Sequence, residues 1–158
     1  MSTLHTNSAA EAISRLMNLG IKPYQLAPAL NLIVGQRLVR KLHTCATKRE
    51  ATLPESQEIK EAVRSINEIA PTRKASFDGN VRTAVGCEED SHDGYQGRMA
   101  VVETLEVNND IKDMILNDKN TLDIYAELRN RGFLTMKEDA YIKMLDGKTT
   151  LEEIRRVL

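Results

Sequence analysis

The chain has 158 residues, of which 41% are hydrophobic and 28% charged, and its formal net charge is −1. That length suffices for a single domain with its own core, and the balance excludes intrinsic disorder and a globally nucleic-acid-binding protein. No apolar run approaches the roughly 20 residues of a membrane-spanning helix, and the first residues lack the pattern of a signal peptide, so a cytoplasmic protein without direct membrane insertion is expected.

From Asn7 or Ser8 the pattern is helical, with Ala12, Ile13, Leu16 and Met17 on one face, Ser8-Ala9-Ala10-Glu11 at the spacing of a capping box, and Gly20 as the stop. After Pro23 the spacing of Leu26, Ala29, Leu30, Ile33, Val34, Leu38 and Leu42 predicts a second, longer helix. Arg37, Arg40 and Lys41 then fall at its carboxyl end, where the helix dipole favours cations. A third helix is expected within 49–70, begun near Pro54-Glu55 and ended by Pro71. The stretch from Thr72 to Gly97 holds Gly79, Gly86, Gly94 and Gly97 and reads as irregular, with at most one short strand around 81–85. Met99 to Leu105 is the best strand, and helices are predicted at about 108–117, 121–130, 136–145 and 150–158. The expected fold class is mainly α with a small β element.

Charge is uneven along the chain. Residues 1–50 carry seven Lys/Arg against two Asp/Glu, whereas residues 86–158 carry ten against sixteen. Such segments form solvated faces that attract each other or a neighbouring subunit.

Gly147-Lys148-Thr149 has the ending of a phosphate loop, but the earlier glycine of that pattern falls on Ile142 and the preceding element is a helix rather than a strand. A turn between helices, with Thr150-Leu151-Glu152-Glu153 as a capping box, accounts for it better. Cys45 and Cys87 are read as reduced thiols. With His43 and with Asp90 or His92 they form a chemically possible metal set, though at irregular spacing. Nucleophilic catalysis by either thiol lacks a base placed by the sequence. Thr3, His5, Thr6 and Asn7 form a polar cluster directly ahead of the first capped helix, a place where side chains commonly face a ligand, and His5 is the candidate site residue.

Three stretches together resemble the carboxy-terminal part of the secretion ATPase superfamily, the type II secretion and type IV pilus assembly ATPases. Ser2 to Ala9 resembles the family's histidine box. Gln36-Arg37-Leu38-Val39-Arg40-Lys41-Leu42 is similar to the run that precedes its metal-binding loop. Val85-Gly86-Cys87 and Gly94-Tyr95-Gln96-Gly97-Arg98, with Met136 to Asp139 and Thr149 to Glu153, resemble its closing pattern.

The resemblance implies a carboxy-terminal fragment of a RecA-like α/β ATPase domain plus a helical tail, with 1–44 the end of the core, 45–98 a degenerate metal-loop insertion and 99–158 a strand and helical subdomain. It implies a motor whose phosphate loop and acidic motifs lie outside this sequence, so the chain alone is expected not to hydrolyse ATP; ATP and Mg²⁺ belong to the full-length parent. His5 is the implied catalytic residue at the phosphate, surrounded by Thr3, Thr6 and Asn7; Arg37 and Arg40 are weak candidates for subunit packing. The family loop commonly has two Cys-x-x-Cys pairs. Here the first becomes His43 and Ala46 with Cys45 between them, and the second becomes Cys87 and Asp90. That loss of the tetrathiolate weighs against zinc and leaves His43, Cys45, Cys87 and Asp90 as residual ligand candidates. The implied partners are other ATPase subunits in a homo-hexamer and the inner-membrane platform protein, with no nucleic acid, and the implied location is cytoplasmic and peripheral to the inner membrane. A non-catalytic adaptor derived from the tail is the alternative, and a small zinc module the third reading.

Overall fold

The computed structural model describes residues 3–88 and 93–158. Among them are seven α-helices and four strands: α1 Ala9–Asn18, α2 Pro23–Ala29, β1 Leu32–Leu42, β2 Thr47–Glu50, α3 Leu53–Ile69, β3 Asn80–Thr83, β4 Tyr95–Glu106, α4 Asn109–Leu116, α5 Thr121–Asn130, α6 Met136–Leu145 and α7 Leu151–Val157. The mainly α reading with small sheets holds. β1 pairs with β4, and β2 pairs antiparallel with β3 in the register Thr47↔Thr83 to Glu50↔Asn80.

The longest miss is the helix expected over 26–42. α2 ends at Ala29, Leu30 takes an extended conformation, and residues 32–42 form β1. Apolar residues three and four apart in this stretch satisfy the helical template, but Ile33, Val34 and Val39 are β-branched and Gly35 would sit in a helix interior at a cost of about 1 kcal/mol. Pairing with β4 decides the contest. Arg37, Arg40 and Lys41 therefore lie on a strand, and the helix-dipole account of them is wrong. β2 went unpredicted, and β4 starts four residues earlier than expected, at Tyr95.

The chain divides into two compact units, one of 1–35 with 103–134 and one of 36–102 with 135–158. In the first, α1 packs on α5 and α2 on α4. Its core is built on Ile13, Leu26, Leu105, Ile111, Ile115 and Ile124, each at most 3% exposed. The side chain of Ser8 caps α1 by accepting from the Glu11 amide, while Glu11 accepts from the Asn7 amide at 3.3 Å rather than closing the box on Ser8.

In the second unit α3 packs on α6 and α6 on α7, around Ile59, Ile66, Ala140, Leu151 and Ile154. Thr135 and Glu138 cap α6 reciprocally. Gly147 adopts φ 75° after α6, and the segment behind it is stitched to β1: the Leu42 amide donates to the Lys148 carbonyl at 2.9 Å, and the Thr149 hydroxyl donates to the Arg40 carbonyl at 2.9 Å. The Gly-Lys-Thr triplet is thus a turn between helices, as its context indicated.

Candidate functional site: a histidine segment and a thiol–imidazole cluster

In the first unit, the polar segment ahead of α1 holds the sequence candidates Thr3, His5, Thr6 and Asn7. His5, Thr3 and Asn7 are solvent-exposed and Thr6 is half-buried. The Thr6 hydroxyl donates to the Ser8 carbonyl at 3.0 Å, which turns the segment into the helix. The helix start is fixed from β4: the Ala9 amide donates to the buried carboxylate of Glu103. A carboxylate at this point satisfies an orphan N–H and meets the positive end of the helix dipole. Glu103 was missed because a single acidic residue in the run Val101-Val102-Glu103-Thr104-Leu105 reads as the solvent face of a strand; its burial depends on α1, some ninety positions away in the chain.

In the second unit, His43, Cys45 and Cys87 come together. Their ligand atoms all lie within 4.8 Å of one another, with His43 Nδ1 at 3.1 Å from Cys45 Sγ and 3.4 Å from Cys87 Sγ. His43 is buried just past the end of β1, Cys45 sits in the turn to β2, and Cys87 follows β3. The His43 amide donates to the Gly94 carbonyl at 3.0 Å, and the Cys45 thiol to the Val85 carbonyl at 2.8 Å. Gly94 makes this closure possible: it adopts φ 76°, and a Cβ there would stand 2.7 Å from the Val85 nitrogen. Two thiols and one imidazole at such spacing form a soft donor set of the kind that holds zinc. Asp90 and His92, the remaining candidates for that set, lie outside the described residues.

Arg40 lies between Tyr95 and α7. Its amide donates to Glu153 Oε1 at 2.8 Å, its Nε to Oε2 at 3.0 Å, and its guanidinium stands 4.0 Å from the centroid of the Tyr95 ring. The Glu153 side chain is fully buried and also accepts from Arg156 Nε at 2.9 Å. Arg156 first and Arg40 next hold its carboxyl at about 2, below the ordinary 4.5. Thr150 accepts from the Glu153 amide at 3.1 Å, so only half of the predicted capping box forms; the carboxylate is taken by the arginines. Arg37 is exposed on β1.

The family model described as "Type II/IV secretion system protein" matches residues 1–156, and the chain belongs to that family. It is 36% identical over 160 residues to the type IV pilus assembly ATPase PilB of Acinetobacter baylyi, covering 99% of this chain and 26% of that protein. Against the PilB of Thermus thermophilus the identity is 35%, over 98% of this chain and 16% of the relative. Against the type II secretion system protein E of Aeromonas hydrophila it is 36%, over 99% and 29%. The chain therefore spans about a quarter of the length of most of these relatives.

Proposed function

We propose that this chain works as the carboxy-terminal part of a motor ATPase that powers type IV pilus assembly or type II secretion, contributing a RecA-like fragment and a helical tail to a homo-hexamer. The observation that carries the reading is the end-to-end family match together with an exposed His5 on a segment pinned by Glu103 to the start of α1. In this reading residues 1–44 end the core, 45–98 form the metal-loop insertion and 99–158 the strand and tail. His5 faces the phosphate side of the nucleotide, with Thr3, Thr6 and Asn7 around it, and polarises the phosphate as charge develops there. ATP and Mg²⁺ are gripped by parts of the parent outside these residues. His43, Cys45 and Cys87 hold a zinc ion that ties the turn after β1 to the segment after β3, and the parent docks on the inner-membrane platform protein from the cytoplasmic side.

The test is steady-state ATP hydrolysis. In the full-length parent, His5→Ala is expected to lower kcat about a hundredfold with nucleotide binding retained; the isolated chain is expected to show no turnover. Turnover by the isolated chain that His5→Ala abolishes, or a parent indifferent to that substitution, overturns the assignment.

A further inference from the structure

The second unit has a pocket of about 260 Å³ whose walls include Lys48, Ser76, Asp78, Asn80, Arg82 and Gly147. β2 and β3 build one side of it, in a register that sets Lys48 directly opposite Arg82. Like charges facing each other across an antiparallel pair destabilise it. The fold answers only half of that repulsion. Lys48 Nζ donates to Asp78 Oδ2 at 2.6 Å, whereas the Arg82 side chain has no hydrogen bond or ion pair with any described residue. Nor is Arg82 needed to cap the neighbouring helix, because the carbonyls of Ile142, Lys143 and Met144 at the end of α6 already accept from the amides of Asp146, Lys148 and Gly147. Its guanidinium lies against Gly147 instead, where a Cβ would stand 2.5 Å from Arg82 Nε. Asp146, next to Gly147 in the chain, is taken by Lys148 at 2.9 Å.

Among the residues lining the pocket, Lys48 and Arg82 stand against Asp78, an excess of one positive charge carried by the exposed Arg82. The Ser76 hydroxyl on the same wall also has no hydrogen bond with any described residue. A guanidinium fork, an ammonium and a hydroxyl therefore offer three kinds of donor within one small recess. A neutral ligand would leave the facing cations uncompensated, and a carboxylate would fill the fork alone. A phosphate group spreads its charged acceptor oxygens over a tetrahedron and so reaches donors on different walls. We propose that this pocket binds a phosphate group, free or as a monoester, with Arg82 as its principal ligand and Lys48 and Ser76 as further donors. The site uses no residue of the motor or zinc readings and depends on neither.

The test is an NMR titration of the whole isotope-labelled chain with inorganic phosphate and, separately, with glycerol phosphate, at constant ionic strength. Saturable shifts are expected at the amides of Ser76, Arg82 and Gly147, with a Kd of about 1 mM. Arg82→Gln is expected to weaken binding about tenfold, and Arg82→Lys, which keeps the charge without the fork, about threefold. Arg73→Gln removes an exposed cation outside the pocket and is expected to leave binding unchanged. The amide spectrum reports the fold of each variant in the same sample, and Arg82→Lys gives the reading should Arg82→Gln fail to fold. Binding of both ligands identifies a phosphate carried on a larger molecule, and binding of inorganic phosphate alone identifies the free anion. No saturable shift at about 10 mM phosphate, an unchanged Kd in the Arg82 variants, an equal loss in Arg73→Gln, or acetate bound as tightly as phosphate overturns the proposal.

Discussion

Glu153→Gln removes one charge from a fully buried site and keeps the shape. The carboxyl sits at about 2 in the folded chain against an ordinary 4.5, so the folded state favours its ionised form. A folded-state value below the unfolded one contributes stability that is present above about pH 4.5 and is lost as pH falls toward 2. The difference corresponds to about 3 kcal/mol at pH 7, about 1 kcal/mol at pH 3 and nothing near pH 1. Solvent screening takes little from this, because the side chain is 0% exposed. Glutamine leaves two arginines facing an amide, so the variant is expected to be less stable by about 3 kcal/mol at pH 7. Urea unfolding followed by circular dichroism at pH 7, 5 and 3, in wild type and variant, reads the difference directly. Glu55, held at about 2 chiefly by Arg49, titrates in the same window and cancels between the two proteins. A gap under about 1 kcal/mol at pH 7, or one that does not shrink at pH 3, refutes the role given to Glu153.

Three further outcomes follow from the site geometry. Glu103→Ala orphans the buried Ala9 amide and is expected to cost about 1–3 kcal/mol, with faster hydrogen exchange at the start of α1; unchanged exchange there refutes the anchor. Purified chain is expected to carry near-stoichiometric zinc by elemental analysis, lost in His43→Ala and in Cys87→Ser, while substoichiometric zinc in the wild type rejects the metal reading. Gly94→Ala forces a Cβ against the Val85 backbone at a positive φ, and is expected both to lower the melting temperature and to weaken zinc retention; retention at the wild-type level counts against Gly94 as the closure of the cluster.

The helices whose caps and apolar spacing are both local were legible. α5 and α6 coincide with the predicted 121–130 and 136–145, and α1 and α4 lie within a residue or two of expectation. Each has a side-chain N-cap, Asn120, Thr135, Ser8 or Asn108, so the signal that starts the helix is written beside it. β1 failed for the opposite reason. Its hydrogen bonds run to β4, more than fifty residues on, and nothing near Leu32 announces that partner. β2 is equally short of local signal, since Thr47-Lys48-Arg49-Glu50 has no apolar alternation and pairs only because β3 returns to it.

The same division between local and distant information runs through the site. His43, Cys45 and Cys87 were candidates by chemistry, and only the fold brings the third across a separation of more than forty residues; Gly94, which permits the approach, looked in sequence like one more glycine of a loop. Glu153 makes the point most sharply. Thr150-Leu151-Glu152-Glu153 reads as a reciprocal cap, yet a carboxylate that closed on the Thr150 amide would be taken from the two guanidiniums, of Arg40 and Arg156, that share it. A bond between a carboxylate and two guanidiniums is stronger than one to a single neutral amide, so the distant cations take the acid and the local motif is left half made. At Glu153 the distant cations displace the local cap, whereas at Glu55 the two coexist, its carboxylate accepting from the Thr52 amide at 2.8 Å and from Arg49 at 2.7 and 2.8 Å.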